Sequence, residues 1–123
     1  MPPGDRSVLP GTVELLVLRA LREGPAHGFA VSKEIRARSE GVVDLNDGAL
    51  YQALHRMEND GLVQSEWGLS SKGKRAKFYH LTDRGAQRLG TDARAWHRFA
   101  DAVARILGPE YAGGAAAAPA RGD

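Results

Sequence analysis

Two residues with forked polar side chains, Gln52 and Arg56, lie four positions apart in the stretch NDGALYQALHRMENDGLV, residues 46–63. Side chains four residues apart share one face of an α-helix. The amide of glutamine and the guanidinium of arginine can each form two parallel hydrogen bonds, which match the edges of adenine and guanine respectively. The spacing therefore predicts a helical face that reads nucleobases, with Arg56 equally suited to the nucleic-acid backbone. The alternative is a solvated glutamine and an arginine paired with Glu58 or Asp60.

The other side of the same segment is predicted to be buried. Its apolar residues recur at the i, i+4 and i+7 spacing of one helical stripe: Leu50, Leu54 and Met57. Two small residues, Gly48 and Ala49, begin the segment and would let a partner approach the backbone closely. His55 lies on the polar side, where the alternative role for a lone histidine is packing at the helix edge.

Cations are concentrated in one later segment. The whole chain has 17 Lys and Arg against 15 Asp and Glu, a net charge of +2. Between Leu69 and Arg88 there are six cations and one anion, so this segment carries +5 and the remainder −3. A local basic patch on a mildly acidic body indicates a polyanionic partner. Four cations around a predicted turn suit phosphate contacts, with a solvated turn as the alternative: Lys72, Lys74, Arg75 and Lys77.

Length and composition restrict the class of protein. A chain of 123 residues, 42% hydrophobic and 26% charged, is typical of one soluble globular domain with an additional element. No apolar run approaches the roughly 20 residues that span a bilayer, and the N-terminus lacks a signal-peptide pattern. We therefore expect a cytoplasmic protein without membrane contact. The absence of cysteine excludes disulfides and thiolate metal sites.

Hydrophobic periodicity predicts two helices in the first part of the chain. The first helix, GTVELLVLRALREG, has Thr12 as its predicted N-cap and stops at the Gly-Pro pair that follows. The second, HGFAVSKEIRARSEG, is predicted to bury Phe29, Val31 and Ile35. Val43 or Leu45 is then expected to pair as a minimal strand.

The third helix, capped by Asn46 or Asp47, is followed by two strands, LVQSEWGL and AKFYHLT, around the polar turn SSKGK. Trp67 is predicted to anchor this hairpin against the body of the protein. A last helix, capped by Thr82 or Asp83, is expected to run to Leu107, with its start weakened by Gly85.

This order predicts a mainly α fold with a small β-hairpin (α+β), namely a winged helix-turn-helix, in which the third helix enters the major groove and the hairpin lies on the adjoining backbone. The predicted domains are a flexible arm over residues 1–10, the winged helix-turn-helix over 11–82, a C-terminal dimerisation helix over 83–108 and a disordered tail over 109–123.

At these residues the sequence resembles the PadR family of bacterial transcriptional regulators. The resembling segments are GPAHGFAVSKEI, GALYQALHRMENDGLVQSEW and KRAKFYHLTDRG, in the family's order, and together they cover roughly residues 11 to 107. Two segments depart from the family pattern. Asn46-Asp47-Gly48-Ala49 replaces the more usual Pro- or Thr-containing start of the recognition helix, and the turn SSKGKRAK lacks a Gly-Arg-Pro form.

The resemblance implies a function and roles for several residues. It implies a DNA-binding regulator that needs no cofactor and represses by occupying an inverted-repeat operator in double-stranded DNA. An enzyme is not expected, because the four histidines are scattered and no glycine-rich phosphate loop follows a strand. Because family members use the matching tyrosine against the DNA backbone, it implies phosphate contact by Tyr51. In drug-sensing members a tryptophan at the place of Trp96 stacks on flat aromatic ligands. Release by a small aromatic effector is thus one interpretation, and packing beside a dimer interface is the other.

The last helix carries an apolar stripe longer than three helices and a hairpin can bury: Ala95, Phe99, Ala102, Val103, Ile106 and Leu107. The simplest partner is the same helix of a second copy, and a homodimer would match a palindromic site. The alternatives are a regulator that responds to metal or to no ligand, and a winged helix that binds only protein. A metal site would have to use His97 and Asp101, spaced i, i+4, and two ligands do not complete one unless a dimer doubles them.

Overall fold

The computed structural model describes residues 11–112, and within them the chain forms helices and one small antiparallel sheet. The elements in order are α1 (Thr12–Leu21), β1 (Ala26–His27), α2 (Gly28–Arg38), α3 (Asp47–Asn59), β2 (Val63–Leu69), β3 (Arg75–Leu81), α4 (Asp83–Leu107) and a 3₁₀ turn (Pro109–Tyr111). The predicted fold class, mainly α with a β-hairpin, is confirmed. The predicted arm, residues 1–10, lies outside the described residues, as do residues 113–123 of the predicted tail.

One hydrophobic core joins the first three helices to the base of the hairpin. Each of these helices contributes residues spaced three or four apart, and both strands contribute residues near the end of the hairpin that is remote from its turn. The buried members are Val17, Leu18, Ala20, Leu21, Val31, Ile35, Leu45, Leu50, Ala53, Leu54, Met57, Leu62, Val63, Tyr79 and Leu89. The predicted stripe of Leu50, Leu54 and Met57 is confirmed, since all three are at most 1% exposed.

The sheet has a third strand that the sequence did not predict. It has the order β1-β3-β2, and Ala26 and His27 pair with Tyr79 and Phe78 of β3. A two-residue strand is too short to show the alternation of a strand, and the sequence pattern predicts His27 as part of the second helix. The predicted strand at Val43 or Leu45 is wrong. Leu45 is buried in the core instead, within a connection that has no strand.

The start of α1 and the face of α2 also differ from prediction. Gly11, with φ of 84°, is the N-cap of α1, and Thr12 already belongs to the helix because the Leu15 N–H donates to the Gly11 carbonyl. In α2, Val31 and Ile35 are buried as predicted, but Phe29 is 64% exposed. The buried stripe begins at Gly28, three residues before Val31, so Phe29 projects to the side of it.

The hairpin is anchored by Tyr79, while the predicted anchor, Trp67, is 59% exposed. Both side chains belong to the same face of the sheet, because Ser65 pairs with Tyr79 and Trp67 pairs with Lys77. Trp67 lies two residues nearer to the turn than this Ser65–Tyr79 pair. It therefore lies beyond the reach of the core.

The start of α4 is fixed to the end of α3 and the first residues of the hairpin. The predicted cap is confirmed at Thr82, whose hydroxyl accepts from the Gly85 N–H at 3.0 Å and donates to the Gly61 carbonyl at 2.7 Å. Gly85 is buried, and a Cβ built there would lie 2.1 Å from the Leu62 carbonyl oxygen. The glycine that weakens the helix thus permits this close approach.

Within the described part of the chain, residues 11–90 form one compact unit and residues 91–112 form another. Gly85 and Leu89 are buried, so the first turns of α4 belong to the winged-helix unit. The sequence predicted instead that this domain would end at residue 82. At the other end of α4, Gly108 has a φ of 89° and Pro109 begins the 3₁₀ turn. Residues 109–111, predicted as disordered tail, are therefore ordered as a single turn, because proline sets the φ that such a turn requires.

Candidate nucleic-acid interface

Helix α3 has a buried face and a polar face that is open to solvent. Gln52, His55 and Asn59 lie at the i, i+3 and i+7 spacing opposite the core stripe, and all three are exposed. The helix begins at the cap formed by Asn46, whose side-chain oxygen accepts from the Ala49 N–H at 2.8 Å. Gly48 is exposed and Ala49 is half-buried, so small side chains border the N-terminal end of the polar face.

Tyr51 and Arg56 occupy opposite flanks of this polar face. Tyr51 is 42% exposed and its ring lies over Gly28 at the start of α2. Arg56 reaches α1, where its Nε and Nη2 donate to the same Glu14 carboxylate oxygen at 3.1 and 2.5 Å. The predicted alternative partners of Arg56, Glu58 and Asp60, are therefore replaced by a residue 42 positions away.

A five-residue turn, Ser70–Lys74, closes the hairpin and presents its cations to solvent. Gly73, with φ of 76°, supplies the left-handed conformation, and its N–H donates to the Ser70 carbonyl at 2.9 Å. The Ser70 N–H in turn donates to the Lys74 carbonyl at 2.8 Å. Lys72 and Lys74 are exposed, as expected for side chains that would meet a polyanion.

The other two predicted cations of the hairpin are held by aromatic rings. The Arg75 guanidinium lies 4.5 Å from the centre of the Trp67 ring, and the Lys77 ammonium lies 5.8 Å from that of Tyr79. Lys77 is also 3.8 Å from a carboxylate oxygen of Glu58 on α3. Burial raises the pKa of the Tyr79 phenol, and the negative charge of Glu58 raises that pKa further.

An open cleft of about 820 Å³ lies between the helices and this face of the hairpin. Its lining residues from α3 are Tyr51 and His55, and those from the hairpin include Trp67, Lys72, Arg75 and Lys77. No Asp or Glu is among the residues that line it. The cleft therefore combines four cations, counting Lys33 of α2, with exposed aromatic rings.

The sequence did not predict that α2 would line this cleft. His27, Phe29 and Lys33 line it, with the Lys33 ammonium 5.9 Å from the centre of the Phe29 ring. The distribution of lysine along the sequence could have indicated that Lys33 of α2 belongs to the same surface as the hairpin lysines. The chain has only four lysines, and three line the cleft while the fourth, Lys74, is in the adjoining turn. The 13 arginines are spread along the whole chain.

Comparison with known proteins identifies the fold and the family. Residues 17–91 match the model of the transcriptional regulator PadR-like family, which is more than half of the chain. The chain belongs to the PadR family. It is thus a transcriptional regulator with a DNA-binding fold, and the resemblance inferred from the sequence is confirmed.

Individual relatives of this PadR-family chain agree. It is 32% identical over 91 residues to a transcriptional regulator of Mycobacterium tuberculosis, covering 74% of this chain and 81% of the relative. A PadR family regulator from Clostridium difficile is 32% identical, with a TM-score of 0.69 over 80% of this chain and 100% of that chain. Bacillus subtilis PadR in complex with operator DNA shares the fold at a TM-score of 0.59 and 20% identity, over 66% of this chain and 46% of that one.

Beyond Gly90, helix α4 of this PadR-family chain carries the predicted apolar stripe. Phe99, Ile106 and Leu107 are exposed by 60%, 83% and 55%, while Ala102 and Val103 are half-buried. Trp96 is 43% exposed, and its ring meets that of the adjacent His97 edge-on, with centres 5.4 Å apart. The stripe thus leaves a row of large apolar side chains exposed to solvent.

Two features are absent from the described part of the chain. Within residues 11–112, no group of three His, Asp or Glu side chains lies close enough together to hold a metal ion. None of the helices in this range combines the length and the apolarity needed to cross a bilayer.

Proposed function

We propose that this protein represses transcription by binding an inverted-repeat operator in double-stranded DNA as a homodimer, in the bacterial cytoplasm. The observation that carries the proposal is the polar face of α3 beside a cleft whose charged side chains are all cationic. A duplex requires both features, because base edges give specificity and phosphates give affinity.

Each predicted contact residue then has a role. Gln52 and His55 meet base edges in the major groove, and Ala49 allows the start of α3 to come close. Tyr51 donates to a phosphate at the boundary between the groove and the cleft. Arg56 exchanges the Glu14 carboxylate for a DNA group. The hairpin cations contact phosphates of the strand that enters the cleft: Lys72, Lys74, Arg75 and Lys77.

In this proposal a dimer formed through α4 brings together the two α3 helices that bind the two halves of the operator. Phe99, Ala102, Val103, Ile106 and Leu107 would pack against the same residues of a second copy. The two α3 helices would then need to lie one turn of DNA apart, roughly 34–36 Å, to read two half-sites. Repression follows where such a site overlaps a promoter, because an occupied site excludes the polymerase.

A planar aromatic compound that stacks on Trp96 is the effector we propose. The exposed ring offers one stacking face, and such a pair contributes on the order of 0.5–1.5 kcal/mol. Because Trp96 lies on the same helix as the apolar stripe, an occupied site would change the spacing of the two α3 helices. Duplex affinity measured with and without candidate aromatic compounds tests this. Affinity that never changes would favour a regulator without a ligand.

The principal experiment is a footprint on the DNA upstream of the protein's own gene, followed by titration of the protected duplex. We expect protection of an inverted repeat, and weaker binding to a duplex with the repeat scrambled. Gln52→Ala should lower discrimination between the two duplexes, and Arg22→Gln, an exposed cation outside the cleft, is the matched control. Failure to bind any duplex at low ionic strength would refute the proposal and would favour a winged helix that binds protein.

A further inference from the structure

Gly28, the first residue of α2, has no backbone reason to be glycine. It is buried, and it is not among the glycines of the described chain with positive φ. At such a backbone conformation alanine would fit as well as glycine. The glycine is therefore explained by a neighbouring group that leaves no room for a side chain.

The contact is with one residue of α3. A Cβ built on Gly28 would lie 2.6 Å from Cζ, 2.6 Å from the hydroxyl oxygen and 2.7 Å from Cε1 of Tyr51. These three nearest atoms all belong to the outer part of one aromatic ring, and none belongs to the backbone. The Tyr51 ring thus rests directly on the Cα of Gly28.

We infer that Gly28 is a positioning residue that seats the Tyr51 ring and aims its hydroxyl at an incoming phosphate. The inference rests on the proposed function. Tyr51 is 42% exposed and lines the cleft, so without this seat its ring would be free to change rotamer on the helix surface. A ring already held in its bound orientation avoids the entropy cost of ordering it when DNA binds.

The test is a double-mutant cycle of Gly28→Ala and Tyr51→Ala, with affinity for the protected duplex as the readout. In the wild-type background Gly28→Ala should weaken binding about tenfold for each protomer that contacts the duplex, the weight of one hydrogen bond to a charged group. Tyr51→Phe, which keeps the ring and loses the hydroxyl, should weaken binding by a similar factor. In the Tyr51→Ala background Gly28→Ala should change affinity less than twofold, because the ring it displaces is absent. Equal losses in both backgrounds would overturn the inference.

A second readout needs no DNA. Protein labelled with 3-fluorotyrosine contains three reporters, since the chain has three tyrosines, and Tyr51→Phe assigns the resonance of Tyr51. Gly28→Ala should move that ¹⁹F resonance and leave the resonance of Tyr111, at the far end of α4, in place. If the Tyr51 resonance does not move, the inference that Gly28 positions the Tyr51 ring is wrong. If no duplex binds, only the proposed function is refuted.

If Gly28→Ala alone does not fold, the double variant decides the question. It should unfold at a temperature no lower than Tyr51→Ala, since the added methyl group then meets no ring. A double variant that also fails to fold would show that Gly28 is required for some other contact, and would overturn the inference.

Discussion

Replacing Glu14 with glutamine should tighten DNA binding, although Glu14 lies on α1 rather than on the polar face of α3. Its carboxylate holds Nε and Nη2 of Arg56 at 3.1 and 2.5 Å. If Arg56 meets DNA, this pair must first break, so the intact carboxylate competes with the operator. Glu14→Gln removes the competing charge and keeps the shape of the side chain.

The magnitude follows from the exposure of the pair. The Arg56 side chain is 56% exposed and that of Glu14 is 28% exposed, so solvent screens the interaction. Pairs of this kind contribute about 0.2–1 kcal/mol. Each protomer should therefore gain about 1.4- to 5-fold in affinity, and a dimer that breaks two such pairs about 2- to 30-fold. The free energy of unfolding should fall by the same 0.2–1 kcal/mol per chain.

The assay is fluorescence anisotropy with a labelled operator duplex at fixed salt, together with urea denaturation of the free protein. Glu23→Gln is the matched control, because it removes a carboxylate from the residues just after α1 that pairs with Arg19 instead. That variant should bind like the wild type. If Glu14→Gln also binds like the wild type while losing stability, Arg56 is only a clamp between α1 and α3, and its assignment to DNA is refuted.

Three further predictions concern the hairpin, α4 and the core. Lys72→Gln/Lys74→Gln removes two phosphate contacts from each protomer, so for the dimer the slope of log Kd against log salt should fall by about 3.6. Arg22→Gln should leave the slope unchanged, and an unaltered slope in the lysine variant would place these lysines away from phosphate. Ile106→Glu should convert the dimer to a monomer in sedimentation velocity, because a charge would enter the apolar stripe, and a dimer that persists would refute the interface through α4. The raised pKa of Tyr79 means that the folded state holds the phenol proton more strongly than the unfolded chain. Its contribution to stability is therefore complete below a pH of about 10 and is lost as the pH rises through the raised pKa. In Tyr79→Phe the free energy of unfolding, measured with urea between about pH 8 and 11, should fall less steeply with pH than in the wild type. An equal fall in both proteins would show that Tyr79 is not the cause.

The polar face of α3 was predictable because it depends on spacing within one helix. Gln52 and His55 are exposed, and Leu50, Leu54 and Met57 are buried, as the period of 3.6 residues requires. The same kind of short-range signal located the hairpin turn, since its glycine, serines and lysines interrupt two runs of strand-forming residues. These features depend on neighbours within a few positions.

The side chains whose surroundings were predicted wrongly are those whose partners lie far along the chain. Arg56 and Glu14 are 42 residues apart, and β1 pairs with Phe78 and Tyr79 about 50 residues later. Trp67 was expected to be an anchor because large aromatic residues are usually buried, yet its distance from the core depends on the register between β2 and β3.

The sequence by itself determined the order of the four helices and the two hairpin strands, the apolar and polar faces of α3, and the cluster of cations at the hairpin. These follow from local periodicity and from residue type. Only the tertiary structure decided that α2 joins α3 and the hairpin around one cleft, that Arg56 is held by α1, and that the Tyr51 ring rests on Gly28. The reason is physical, since such contacts depend on how whole elements pack, and packing distances are not written in the spacing of residues along any one element.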